Sequence, residues 1–354
     1  MTIQENKPLA PFTTFGIGGP ARWFIEAKTE NEIAEAAAWA QARQAPLFVL
    51  GGGSNLLVAD AGFNGLVLHV ALKGIEAQLA PDGSQQRLFR AAAGESWEHF
   101  VQRAIEGDCA GVECLAGIPG TVGGTPVQNV GAYGQEVASV IERVRVFDLE
   151  DRVFCEIPAA QCGFAYRRSR FNSTDRGRFI VTRVDYRLTP NGAPTLRYAD
   201  LQRAFAADLE AGRQPTLAAV AAEVRRIRQG KGMLIVDGDP DCRSAGSFFK
   251  NPVVPLEFAE RMAARLLPPT YPAGSGPRGE PLVKLPAAWL IEQAGFGKGY
   301  ALGAAAVSSR HTLALINRGD AEAADVLALA ARIRDGVFAR FGVELEMEPV
   351  RVGF

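Results

Sequence analysis

Two glycine-rich segments are the most chemically suggestive parts of the chain. Leu50-Gly51-Gly52-Gly53-Ser54-Asn55 follows a short apolar run, and Gly117-Ile118-Pro119-Gly120-Thr121-Val122-Gly123-Gly124 is followed by Gln128-Asn129-Val130-Gly131-Ala132-Tyr133-Gly134. Where no side chain blocks the approach, backbone N–H groups can meet a phosphate closely. The first segment is not the helical dinucleotide fingerprint, because Leu56-Leu57-Val58 reads as extended where a helix would have to start. Taken by itself, that turn is explained more readily as a glycine hairpin or corner than as a ligand cradle. No G-x-x-x-x-G-K-[ST] loop is present, which argues against an ATP-binding P-loop. The second segment interleaves its glycines with small apolar residues and carries no charge, unlike a solvated loop. With the amides of Gln128 and Asn129 it suits a long, flat ligand bearing a pyrophosphate.

The elements that must hold these segments follow from periodicity and caps. Thr29 and Glu32 form a capping box for a helix over about 29–44, and Pro46 leads into strand 47–50. Strands are predicted at 65–70, 88–93, 140–148 and 179–188. A helix runs over about 96–106 with Gly107 placed to close it. Proline and glycine cluster at 189–194, which marks a boundary. Beyond it, helices are expected at 216–230 with Thr216 as cap, at 256–266, at 287–294, and at 320–341 with Asp320 as N-cap and Gly342 after the last turn. Residues 268–281 read as a mobile loop. Trp23, Trp39, Trp97 and Trp289 are expected in core packing. The pattern is α+β with mixed sheets, in two or three domains.

Composition narrows the function classes. The chain has 354 residues, is 47% hydrophobic and 22% charged, and has a formal net charge of −1. So neutral a chain has no global basic field for nucleic acid or an anionic membrane, and an anionic ligand must meet a local cluster of cations and N–H groups. No apolar run is long enough to span a bilayer, and the polar start lacks a signal-peptide core. Five cysteines without a C-x-x-C pattern point to reduced thiols and a cytoplasmic location. His69, His99 and His311 are scattered without metal-ligand spacing, so no metal site is expected.

Five ordered motifs carry a family resemblance: Leu50-Gly-Gly-Gly-Ser-Asn55, Gly117-Ile-Pro-Gly120, Gln128-Asn-Val-Gly-Ala-Tyr-Gly134, Phe164-Ala-Tyr-Arg-Arg-Ser169 and Gly246-Ser-Phe-Phe-Lys-Asn-Pro252. Together they resemble the UDP-N-acetylenolpyruvoylglucosamine reductases, from about residue 14 to 352. The resemblance implies a vanillyl-alcohol-oxidase-like FAD-binding domain of two α/β subdomains over 14–190. A C-terminal α+β substrate domain over 200–348 and a tail over 349–354 would follow. Leu196-Arg-Tyr-Ala-Asp-Leu201 and Pro269-Thr-Tyr-Pro272 look like the features of the family's longer type. FAD would lie across Gly51, Gly52, Gly53, Ser54, Asn55, Gly117, Ile118, Pro119, Gly120, Gly123, Gly124, Gln128, Asn129, Gly131, Ala132 and Tyr133.

The activity so implied is reduction of an enolpyruvyl ether of a UDP-sugar, with NADPH as the electron source. It serves peptidoglycan precursor synthesis. Hydride adds to the terminal carbon of a C=C conjugated to a carboxylate, charge builds on that carboxylate, and a proton must reach the adjacent carbon. The resemblance makes Arg167 the carboxylate clamp, for which a planar charged fork is suited, with Tyr166 beside it and Arg168 as solvated neighbour. It makes Ser247 the proton donor, which only electrostatic support from neighbours would make acidic enough. The resemblance implies a C-terminal glutamate as third catalytic member; the spacing from Leu345 favours Glu348, although Pro349 intervenes before the Val-Arg pair and period two puts Glu346 on the same face. Lys231, Tyr198 and Tyr271 correspond to nucleotide contacts, and Asn251 is expected to face substrate. A monomer with small-molecule partners only is expected. Another flavin oxidoreductase of the same superfamily is the alternative; it would need neither Ser247 nor Glu348 and would take electrons from an alcohol or aldehyde. A flavin-free sugar-nucleotide-binding protein would be colourless.

Overall fold

Thr29 caps the first helix as its spacing to Glu32 demands. The computed structural model describes residues 1–263 and 268–354. In it helix Glu30–Ala42 begins with the Thr29 hydroxyl accepting the Glu32 N–H while the Glu32 carboxylate accepts the Thr29 N–H. Strands Leu47–Leu50, Leu56–Val58, Phe63–Val70, Arg87–Ala92, Ile141–Asp148 and Phe179–Pro190 form at the apolar runs. The chain divides into two bodies: Met1–Lys7, Ala21–Gly53 and Phe63–Gln229 in the first, Pro8–Pro20, Ser54–Gly62 and Gly230–Phe354 in the second.

The first body holds two sheets. The smaller has the order Ile3–Pro8, Pro20–Ala27, Phe63–Val70, Leu47–Leu50, and Phe63–Val70 runs parallel to both of its neighbours. The larger is antiparallel, in the order Phe154–Pro158, Ile141–Asp148, Phe179–Pro190, Arg87–Ala92, Ile75–Leu79. The far end of Phe179–Pro190 also pairs with Cys109–Ala110. One apolar core serves both sheets and joins Ile25, Ile33 and Leu66 to Trp97, Val144 and Val184.

Helix Trp97–Glu106 buries Trp97, Phe100, Val101 and Ala104 at the spacing of one helical face. Phe100 stacks on Trp97 at 5.2 Å and meets Tyr186 at 4.5 Å between ring centroids. The polar ends of these rings are satisfied within the same body. Trp97 Nε1 donates to the Leu115 carbonyl at 3.0 Å, and the Tyr186 hydroxyl lies 2.6 Å from Thr125 Oγ1. The aromatic group thus holds residues 115–125 from beneath. Gly107 closes the helix as foreseen, but it is Asp108, at φ 48°, that takes the left-handed conformation.

The second body has a core of Phe15, Leu57, Phe248, Phe249, Leu290, Leu329 and Ile333. Two three-stranded antiparallel sheets build it. One is Val253–Pro255, Pro281–Lys284, Tyr271–Ser275; the other is Ala301–Leu302, Ala305–Val307, Leu315–Asn317. Helices Ala287–Gln293 and Ala323–Phe341 pack with them.

Two expectations need correction here. Residues 268–281 are not a structureless loop, since Tyr271–Ser275 pairs with Pro281–Lys284 across a turn closed by Gly276 donating to the Glu280 carbonyl at 2.8 Å. The last helix is capped by Glu322 with Asp325, not by Asp320, because Asn317 Oδ1 accepts the Gly319 and Ala321 N–H groups and holds the preceding residues in a turn. Within the expected tail over 349–354, Val350–Val352 pairs in parallel with Leu56–Val58. The helix expected over 256–266 is present as Leu256–Ala263, and positions 264–266 lie outside the described residues. Among the described residues no helix is long and apolar enough to cross a membrane.

Candidate active site

In the first body the two glycine segments meet. A Cβ on Gly52 would stand 2.5 Å from Gly120 Cα, and one on Gly51 would stand 2.9 Å from Thr121 Oγ1. Only hydrogen fits at that contact, so glycine is required here by close backbone approach. The start of helix Trp97–Glu106 fixes the second segment, with Trp97 N–H on the Gly120 carbonyl at 3.1 Å and Val122 N–H on the Glu95 carbonyl at 2.9 Å. Space lies open beside Gly124, where a Cβ would meet nothing within 4 Å. These features fit a flat cofactor with a pyrophosphate, held by backbone donors. Ser54 and Asn55 do not stay with Gly51–Gly53 but belong to the second body, where Asn55 Nδ2 donates to the Glu348 carbonyl at 3.3 Å.

Gly117 is held from both sides by side chains that sequence reasoning missed. Glu98 accepts its N–H, and the buried Arg228 donates through Nε to its carbonyl at 3.0 Å. Burial pulls the Arg228 pKa below its ordinary value. Arg225 pairs with Glu98. These residues come from helices far apart in sequence, and neither spacing nor composition links them.

The tail of the second segment carries the arginine. Asn129, almost fully buried, donates to the Ala165 carbonyl at 3.0 Å and accepts the Ala138 N–H at 3.1 Å. Ser169 Oγ donates to the Val127 carbonyl at 2.6 Å. Between these anchors, Ala165 and Arg168 exchange backbone bonds at 2.9 and 3.1 Å around a tight turn with Tyr166 and Arg167 at its centre. Arg167 has φ 53°, a strained value for a residue with a side chain. Its Nη1 donates to the Gly131 carbonyl at 3.0 Å. Arg168 is exposed, as expected for a solvated neighbour, and Tyr166 is 41% exposed. Tyr198 stands edge-on to Tyr133, with centroids 5.1 Å apart at 85°.

In the second body, Ser247, Asn251 and Glu348 come together along one ribbon. Phe249 bridges Met347, Glu348 N–H donates to the Phe248 carbonyl at 2.9 Å, and Lys250 N–H donates to the Glu346 carbonyl at 2.9 Å. Ser247 bridges Ala314 on the other side. Glu348 is half-buried, whereas the Glu346 side chain is exposed and pairs with Lys250 at 2.5 Å. Asn251 Oδ1 accepts the Ala287 N–H at 2.9 Å and so caps helix Ala287–Gln293, which leaves its NH2 as the group to offer a ligand. Lys231 lies near His311, whose pKa falls to about 4 through burial first and then through Lys231 and Lys298. Tyr271 is 55% exposed on its hairpin.

Comparison with known proteins fits this geometry. A sequence profile for an FAD binding domain matches residues 21–154, and one for the UDP-N-acetylenolpyruvoylglucosamine reductase C-terminal domain matches 239–352. A UDP-N-acetylenolpyruvoylglucosamine reductase of Streptomyces coelicolor is 46% identical over 99% of this chain and 91% of its own length. One of Thermobifida fusca is 44% identical over 99% of this chain and 98% of its own. The crystal structure of UDP-N-acetylenolpyruvylglucosamine reductase from Thermus caldophilus superposes with a TM-score of 0.67 at 28% identity, covering 99% of this chain and all of that one. The α+β class expected from the sequence, with an FAD-binding domain and a C-terminal domain of the reductase type, is the fold observed.

Proposed function

The chain belongs to the UDP-N-acetylenolpyruvoylglucosamine reductase family, and on that premise we propose that it reduces UDP-N-acetyl-3-O-(1-carboxyvinyl)-glucosamine to UDP-N-acetylmuramate. FAD is the resident cofactor, NADPH the electron source, and peptidoglycan precursor synthesis the setting. One observation carries the reading. Arg167 rests on the Gly131 carbonyl, so a carboxylate clamp is built onto the same glycine segment whose upstream half meets Gly51 and Gly52.

The two glycine segments would hold FAD, which, once reduced by NADPH, would supply the hydride that the terminal carbon of the enolpyruvyl group takes up. Arg167 orients the substrate carboxylate and stabilises the charge that gathers there, using a fork matched to two oxygens. Ser247 delivers the proton to the adjacent carbon. Glu348 assists at the same carboxyl-bearing end in its protonated or hydrogen-bonded form. Lys231, Tyr198 and Tyr271 hold the uridine diphosphate, with Tyr166 and the Asn251 amide as further substrate contacts. The FAD-binding function falls to 14–190 and substrate binding to 200–348, a division that the profile matches at 21–154 and 239–352 support. We further propose a cytoplasmic monomer acting on small molecules alone.

The test is anaerobic and optical. NADPH bleaches the bound flavin, and the enolpyruvyl sugar nucleotide restores its colour with formation of UDP-N-acetylmuramate. Bleaching by an alcohol or aldehyde and not by NADPH would instead identify another flavin oxidoreductase.

A further inference from the structure

Glu113 is a fully buried carboxylate that the proposed chemistry does not use. One oxygen accepts the Gly111 N–H at 2.8 Å. The other accepts Gln135 Nε2 at 2.7 Å and the Thr195 N–H at 2.8 Å. Gln135 in turn accepts the Cys114 N–H at 2.8 Å and donates to Thr195 Oγ1 at 3.1 Å. Cys114 Sγ donates to the Thr195 carbonyl at 3.1 Å. Every polar group of Thr195 is therefore gripped by residues 113–114 and 135, which flank the glycine stretch 117–134. A buried carboxylate so fully bonded is costly to disturb, because each donor it releases is left unsatisfied in the interior.

What this grip holds is a stretch with no regular structure of its own. Residues 191–198 connect strand Phe179–Pro190 to helix Ala199–Ala204, and Tyr198 is the residue just before that helix. Downstream of Thr195, a Cβ on Gly134 would stand 3.1 Å from Arg197 Cβ, and the Tyr133 and Tyr198 rings meet edge-on. We infer that Glu113 is a positioning residue for sugar-nucleotide binding, locking residues 191–198 onto the cofactor segment so that Tyr198 stands ready beside Tyr133. The inference rests on the proposed function, through the role given there to Tyr198.

Glu113→Gln keeps the shape but replaces one acceptor oxygen with a donor, so at least one of the three N–H groups loses its partner. Two measurements test the inference. Amide hydrogen exchange over 193–200 should quicken in the variant while FAD content and absorbance stay those of the parent. In steady state, KM for the enolpyruvyl sugar nucleotide should rise about tenfold with kcat within about threefold of the parent, the signature of lost binding and not of lost chemistry. Tyr198→Ala should raise KM comparably, and the double variant should be no worse than Tyr198→Ala, since Glu113 acts through that ring. Unchanged exchange, or additive effects in the double variant, overturns the positioning role. Quickened exchange with KM unaltered in both single variants places the failure in the role of Tyr198 within the proposed function. If Glu113→Gln yields no folded protein, Thr195→Val, which removes only the Oγ1 contact, carries the same cycle with an expected KM change of about threefold.

Discussion

Replacing His311 with asparagine should make the protein markedly more resistant to acid. His311 Nδ1 accepts the Leu313 N–H at 3.0 Å, and the His311 backbone N–H donates to Ser308 Oγ at 3.2 Å. Burial first, then Lys231 and Lys298, lower its pKa from 6.5 to about 4 against the opposing pull of Glu292. The folded pKa is the lower one, so the unfolded chain takes up the proton first. The stability at stake is fully present above the unfolded value of 6.5, drains away as the pH falls below it, and levels out near 4. The gap corresponds to ~3 kcal/mol in full, of which about 2 kcal/mol has gone by about pH 5. Asparagine keeps an acceptor for Leu313 and takes up no proton. Urea unfolding of both proteins at about pH 7 and about pH 5 isolates the effect, because the carboxylates titrate alike in both and drop out of the difference. The parent should lose about 2 kcal/mol more than His311→Asn between those conditions. Parallel losses in the two proteins would refute a buried neutral imidazole.

Gly52→Ala drives a methyl group into the Gly120 backbone and should cost roughly 1–3 kcal/mol of stability and most of the bound FAD, read by thermal unfolding and the flavin-to-protein absorbance ratio. Ser247→Ala should leave flavin reduction by NADPH intact while turnover falls by roughly a hundred- to ten-thousand-fold, as stopped-flow and steady-state rates will show; unchanged turnover removes Ser247 from the mechanism. Glu348→Gln should depress kcat by at least about a hundredfold, whereas Glu346→Gln breaks only an exposed pair with Lys250 and should leave kcat within about twofold.

Much of the frame was legible because local rules acted alone. Thr29 with Glu32, the apolar run 47–50 and the amphipathic face from Trp97 to Ala104 each determine their element without help from afar. Strands Ile3–Pro8 and Ile75–Leu79 escaped because they are sheet edges with mostly exposed residues, so no apolar alternation marks them. Hairpin Tyr271–Ser275 with Pro281–Lys284 hid behind prolines and glycines whose usual message is a loop. At the site, the glycine segments were visible as compositional oddities, but their reason, the approach of Gly52 to Gly120, is a tertiary contact. Arg167 was visible through its motif alone. The Glu98, Arg228 and Glu113 anchors had no local signal, because each acts on backbone groups distant in sequence.

The weaving of the chain between its two bodies bears on how the protein is made. The path changes body five times, at Lys7–Pro8, Pro20–Ala21, Gly53–Ser54, Gly62–Phe63 and Gln229–Gly230. Strand Leu56–Val58 waits for Val350–Val352, and Asp60 waits for the N–H groups of Ala323 and Ala324 that its carboxylate accepts at 2.7 and 3.2 Å. A ribosome releases those partners more than 260 residues later. The first body has all its residues once Gln229 has emerged, while the second cannot close until Val350–Val352 has followed. Truncation before Val350 would therefore remove the sheet partner of Leu56–Val58, and expressing residues 230–354 alone would leave that module without Phe15 and Leu57 in its core.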